Sequence, residues 1–375
     1  MSRLGKLHDE GQSIWLDNLD RTMLHNGELE RRISEESLTG VTSNPTIFEN
    51  ALAEGTDYDD QLSGAAAGAS PAELFELVET TDVQRVCDLF AGVYSATRGS
   101  DGYVSIEVSP GVANDLDKTV AEAHRLWETV DRPNVMVKVP GTEQGALAVR
   151  QLIADGVNVN ITLLFSMDAH DRVIDAYMSG IEDRLAAGNP IDHVFSVASF
   201  FVSRVDTEVD KRLDEMVKAA NPTDRDRLKM LKGRAAVANA RLAYRLFRRR
   251  FTEPRWKTLE ERGARLQKPL WASTGVKNPA YRDVMYVEEL IGPDTVNTMP
   301  PKLIEAFRDH GDVQRTLDKR VGAAEGLLRE IEAVGISMKD VTDKLLVDGL
   351  ASFQKSFDSL TAGIERKMSQ LPATK

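Results

Sequence analysis

Eight short runs rich in β-branched and aromatic residues alternate with longer stretches of helical periodicity, and this alternation restricts the fold more than any other feature. The runs are SIWLDNL (13–19), GVTSNPTIF (40–48), YVSIEVSP (103–110), NVMVKVPG (134–141), VNVNITLLFS (157–166), HVFSVASFFVS (193–203), KPLWASTG (268–275) and DTVNTMP (294–300). Amphipathic segments such as AELFELVETTDVQRVCDLFAGVYSAT and TEQGALAVRQLIADG lie between them. Strands separated by helices favour a parallel sheet, and eight of them predict an α/β fold with one (β/α)₈ TIM barrel. A doubly wound open sheet is the alternative, but its phosphate-binding glycine motif is absent from the chain.

The 375 residues suit one barrel domain spanning 1–375, with the strands within about 13–300. A charged helical insertion is expected over about 204–265, and helices over about 302–370 should pack on the barrel. Within the insertion, the arginines of NARLAYRLFRRRF (239–251) read as a solvated helix face rather than an anion site. Lys+Arg 47 against Asp+Glu 59 gives a net charge of −12, which argues against nucleic acid or an anionic membrane as partner. Cys87 is the only cysteine and falls at an apolar helical position, so a small core residue in a reducing compartment is expected. The opening MSRLGKLHDEGQ has no apolar signal core, and no run of about 18 apolar residues follows, so a cytoplasmic location is expected.

Lys138 interrupts the valine-rich run NVMVKVPG, where an ammonium group is out of place unless it is wanted. An edge strand or a lysine reaching out to water would also account for it. Strand parity separates these readings. Val104, Ile106 and Val108 share one face of their strand, opposite Tyr103, Ser105, Glu107 and Ser109. Val157, Val159, Ile161 and Leu163 oppose Asn158, Asn160 and Thr162; Val135, Val137 and Val139 oppose Met136 and Lys138. An antiparallel sheet with one wet face would alternate in the same way. Intervening helices favour parallel strands instead, with apolar faces toward the helices and the other faces inside a barrel. Lys138, Glu107 and Thr162 then converge at the strand ends where this fold places its chemistry.

A partly desolvated lysine has its ammonium form disfavoured, and the free amine can attack a ketone to form a Schiff base. Glu107 and Thr162 could hold the water that moves protons during that step. Asp17, closing the first strand, could take a proton from a substrate hydroxyl; a turn or cap role is the plainer reading of such an aspartate. The six histidines show no H-E-x-x-H or Cys/His ligand spacing, so no metal is expected. Nucleotide-binding glycine motifs and a G-x-S-x-G elbow are also missing.

WLDNLDR, GVTSNPTIF, SIEVSP, VMVKVPGT, NVNITLLFS and SFFVSR resemble, in order and spacing, the transaldolases of the pentose phosphate pathway. The similarity covers roughly residues 12–300, and the length is similar to that of the longer bacterial branch. The resemblance implies a cofactor-free Schiff-base enzyme acting on phosphorylated sugars. Such an enzyme moves a dihydroxyacetone unit from sedoheptulose 7-phosphate to glyceraldehyde 3-phosphate. It implies that Lys138 is the Schiff-base lysine, Asp17 the acid/base at the C4 hydroxyl, and Glu107 and Thr162 the holders of the catalytic water. By the same resemblance Asn44 and Asn160 bond the dihydroxyacetone hydroxyls, Ser199 and Phe201 line the pocket, and Arg204, Ser273 and Lys277 bind phosphate. Many relatives carry S-P-F-V-G-R where this chain has SFFVSR, and an arginine where Lys277 offers only a point charge. Related fructose-6-phosphate aldolases, which release free dihydroxyacetone, tend to have a tyrosine in place of Phe201. A phosphosugar-binding barrel without activity would be expected to lose Lys138 or Glu107, and both are present.

Overall fold

A computed structural model describes residues 2–43, 56–65 and 68–370. Its strands are β1 (Gln12–Leu16), β2 (Leu38–Thr42), β3 (Tyr103–Glu107), β4 (Val135–Pro140), β5 (Val159–Leu164), β6 (Ser196–Phe201), β7 (Gln267–Ala272) and β8 (Thr295–Met299). They form a closed parallel barrel in sequence order, and β1 pairs with β8 to complete it. The expected (β/α)₈ architecture is therefore the observed one. Helices such as Leu116–Val130, Glu143–Asp155 and Met167–Ala186 follow their strands and cover the outside. Local chemistry starts them: Asp115, Thr142 and Ser166 each accept a backbone N–H at the helix start.

The outward residues Val104, Ile106, Val135, Val137, Val139, Val159 and Ile161 are all buried beneath these helices. Inside, toward the N-terminal ends of the strands, Trp15, Tyr103, Met136, Phe195, Val197, Leu270 and Val296 form a separate apolar plug. Gly40 on β2 makes room for it, since a Cβ there would lie 2.6 Å from the Trp15 ring. The barrel is thus a packed core rather than a pore.

Two details depart from regular parity. Leu163 has φ +60° and sits where the β5–β6 register shifts between Ile161 and Leu164. That irregularity turns its side chain away from the outward set to which strict alternation assigns it, and Leu163 lines the central cavity instead. Ser109 also leaves the inward face, because β3 stops at Glu107 and the Ser109 hydroxyl donates to Glu122 at 2.9 Å.

The insertion helix Ala235–Arg250 is less solvated than its composition suggests. Most of its first three turns are buried, including Asn239 and Arg241. Four of its five arginines are paired, Arg241 with Glu289, Arg245 with Glu325, Arg248 with Asp294 and Arg250 with Asp171. Cys87 is fully buried, as expected. No helix among the described residues is long and apolar enough to cross a membrane. The tail folds into the helices Pro301–His310, Val321–Ala333 and Met338–Gln370, and the last of these reaches the mouth of the barrel.

Candidate active site

At the C-terminal ends of the strands lies a cavity of about 270 Å³. Asp17, Glu107, Lys138, Thr162, Ser199, Phe201, Arg204, Ser273 and Lys277 all line it, so most of the residues singled out from sequence meet in one place. Lys138 Nζ donates to Glu107 Oε2 at 2.7 Å and to the Ser43 carbonyl at 3.3 Å. The register explains the meeting: Glu107 of β3 lies beside Lys138 of β4, and both occupy inward positions. The two side chains are only 7% and 12% exposed, enough for a small ligand to reach the lysine from the cavity.

Thr162 enters two residues further along β5, from a position paired with Pro140. Asp17 follows β1 directly; its backbone N–H donates to the Met299 carbonyl, and its carboxylate accepts from the Thr42 hydroxyl at 3.3 Å. Asp17 is therefore more than a turn residue, because the barrel fixes it at the rim. On the opposite wall the Arg204 guanidinium lies 5.1 Å from the centre of the Phe201 ring, a cation–π contact that holds it facing the cavity. Burial lowers the pKa of Arg204, and the charge of Asp17 opposes that shift. Asp206, the obvious surface partner for Arg204, instead accepts from Tyr286 and the Ala236 backbone N–H. Ser273, with φ +56°, meets the Ser203 hydroxyl at 3.0 Å.

Asn160 occupies a different place. It is fully buried below the cavity, where Nδ2 donates to the Ser105 hydroxyl and Oδ1 accepts from the Ser199 hydroxyl at 2.6 Å. Its visible task is to orient Ser199, and it is not among the residues that line the space. Asn44 falls outside the described residues.

Several lining residues carry no sequence signal of their own. Thr42 of β2 and Thr298 of β8, whose hydroxyls are 2.8 Å apart, meet across the end of β1, which runs between their strands. Gly349, Ser352, Phe353 and Ser356 come from the C-terminal helix and close the cavity on one side. Helical periodicity announces that such a helix buries a face, but not which surface receives it.

The family model for Transaldolase/Fructose-6-phosphate aldolase matches residues 14–364. The chain belongs to this family. It is also similar to curated proteins named transaldolase along almost its whole length. It is 45% identical to that of Mycolicibacterium smegmatis (99% of this chain, 98% of the relative). To that of Arthrobacter sp. it is 46% identical (96% of each). To that of Trichodesmium erythraeum it is 42% identical (99% and 98%). The chain is therefore an enzyme of a family whose fold is the barrel described above.

Proposed function

We propose that this chain is a transaldolase that carries a dihydroxyacetone unit on Lys138, from sedoheptulose 7-phosphate to glyceraldehyde 3-phosphate. The products are erythrose 4-phosphate and fructose 6-phosphate. The observation that carries the assignment is the half-buried Lys138–Glu107 pair at the mouth of a closed barrel, in a chain matched end to end by transaldolases.

Each residue has a task in this reading. Glu107 takes a proton from the Lys138 ammonium, and the amine attacks the C2 ketone. Glu107 and Thr162 hold the water that leaves as the carbinolamine becomes an iminium, which acts as the electron sink. Asp17 then takes the proton of the C4 hydroxyl as the C3–C4 bond breaks, and the aldehyde product departs. The enamine on Lys138 keeps the three-carbon unit until the acceptor aldehyde is attacked and the steps reverse. Asn44 and Ser199, the latter oriented by Asn160, hold the hydroxyls of that unit. Phe201, phenylalanine rather than tyrosine, favours transfer over release of free dihydroxyacetone. Arg204 grips the substrate phosphate, supported by Ser273 and Lys277. A cytoplasmic setting fits the single buried thiol of Cys87.

Two measurements test the proposal. Incubation with fructose 6-phosphate and borohydride should leave a reduced adduct on Lys138, located by mass spectrometry. Turnover of fructose 6-phosphate should depend on added erythrose 4-phosphate. An adduct on another lysine defeats the site, and full turnover without an acceptor moves the activity to that of an aldolase.

A further inference from the structure

Glu79 stands in the middle of the helix Pro71–Ala96, which packs against β3 and β2. It is 3% exposed, and the charges that act on it are those of the active site: Glu107 and Lys138, together with Glu76 one turn earlier. The buried Ser43 hydroxyl acts on it as well, and that hydroxyl has no hydrogen-bond partner among the described residues. The carbonyl of that same Ser43 accepts from Lys138 Nζ. A third ionisable group is thus sealed behind the Lys138–Glu107 pair, out of reach of the substrate.

We infer that Glu79 is a positioning residue that stays neutral, so that the pair in front of it holds one cation and one anion and the proton of Lys138 can pass to Glu107. The inference rests on Lys138 being the nucleophile. In the step itself an N–H bond of Lys138 breaks and an O–H bond forms on Glu107 Oε2. The amine keeps the electron pair with which it attacks, and no further reactant is needed. An ionised Glu79 would place a second negative charge beside the ammonium and hold its proton in place.

Burial and the charge of Glu107 push the Glu79 carboxyl up to about 8, and Ser43 and Lys138 offset only part of this. Among the described residues, basic side chains around the helix pair with other acids. Arg21 pairs with Asp82, Arg125 with Glu76, Arg132 with Asp88 and Lys367 with Asp59. Arg85, on the same helix, acts on Asp82. Because the folded state binds this proton more tightly than the unfolded chain, Glu79 takes stability away as pH rises from 4.5 to about 8.

Glu79→Gln copies the neutral acid and cannot ionise. Borohydride trapping on Lys138 in a single turnover should run within about twofold of the wild type near pH 6.5. Above pH 8 the wild type should fall behind, by roughly tenfold at pH 9.5, the scale of one unit of coupling between two sites. In urea, the stability advantage of the variant should grow from pH 4.5 to about 8 and then level off. In the wild type alone, a carboxylic C=O infrared band should persist at pH 7 and fade with a midpoint near pH 8. Superimposable pH profiles, a folded variant that traps poorly at pH 6.5, or no such band would each overturn the inference. No trapping in the wild type at any pH would instead defeat the assignment of Lys138.

Discussion

The two ends of the barrel interior are built from the same strands and do opposite work. β3 gives Tyr103 to the floor and Glu107 to the mouth; β4 gives Met136 and then Lys138; β6 gives Val197 and then Ser199. On the floor Tyr103 stacks on Phe195 at 4.9 Å, and Trp15 donates to Asp101 at 2.9 Å. At the mouth the same inward face carries an ion pair, hydroxyls and carboxylates around open space. A step of two residues on β4 and β6, and of four on β3, therefore separates packing from chemistry, while the side-chain direction stays constant. Depth in the barrel, and not face alone, decides which residue types are tolerated.

Substitutions at the two ends should separate activity from stability. The largest effect is expected at the mouth: Glu107→Gln and Asp17→Ala should each lower turnover by about 10²–10⁴-fold. Glu107→Gln should slow formation of the adduct as well, whereas Asp17→Ala should let it form and stall the bond cleavage. Rapid-quench trapping distinguishes them, and equal loss of trapping in both variants would contradict the division of roles. Next comes the floor. Trp15→Ala leaves a void within the plug and should cost about 3–5 kcal/mol of stability in urea unfolding. Trapping per folded molecule should remain as in the wild type; impaired trapping in fully folded protein would erase the distinction between the two ends.

The smallest effect is expected at the rim. A charge-assisted phosphate contact is worth about 1.5–3 kcal/mol, so Arg204→Ala should raise KM for fructose 6-phosphate roughly 10–150-fold. The drop in kcat should be smaller, because this contact is shared by ground and transition states. Preference over unphosphorylated fructose should shrink with it. An unchanged KM in folded protein would move the phosphate site toward Lys277, which lines the same cavity.

Much of this arrangement could be read from the chain because it departs from local expectation. An ammonium among valines, as at Lys138, is conspicuous, and parity then brings Glu107 and Thr162 to it. Parity fails where the backbone is irregular: Leu163 leaves the regular β region, and nothing in ITLLFS marks that. The resemblance assigns Asn160 to the substrate hydroxyls, and strand parity alone does not show that its amide is engaged by Ser105 and Ser199. Glu79 reads as an ordinary charge on an amphipathic helix, since burial of a carboxyl depends on partners far away in sequence. Ser352, Phe353 and Ser356 escape for the same reason, as the docking of a tail helix is set by tertiary packing.

The cavity draws Asp17 from near one end of the chain and Ser356 from near the other, and the barrel closes by pairing β1 with β8. Gln12 and Thr295, hydrogen-bonded across that seam, are 283 residues apart. Closing so long a loop is slow compared with forming each strand–helix unit. During synthesis the growing chain can assemble most of its helices and several strand pairs and still have no complete site. Catalytic competence should therefore arrive as a late, single event after the tail has left the ribosome, and recovery of activity on refolding should lag behind recovery of helical signal.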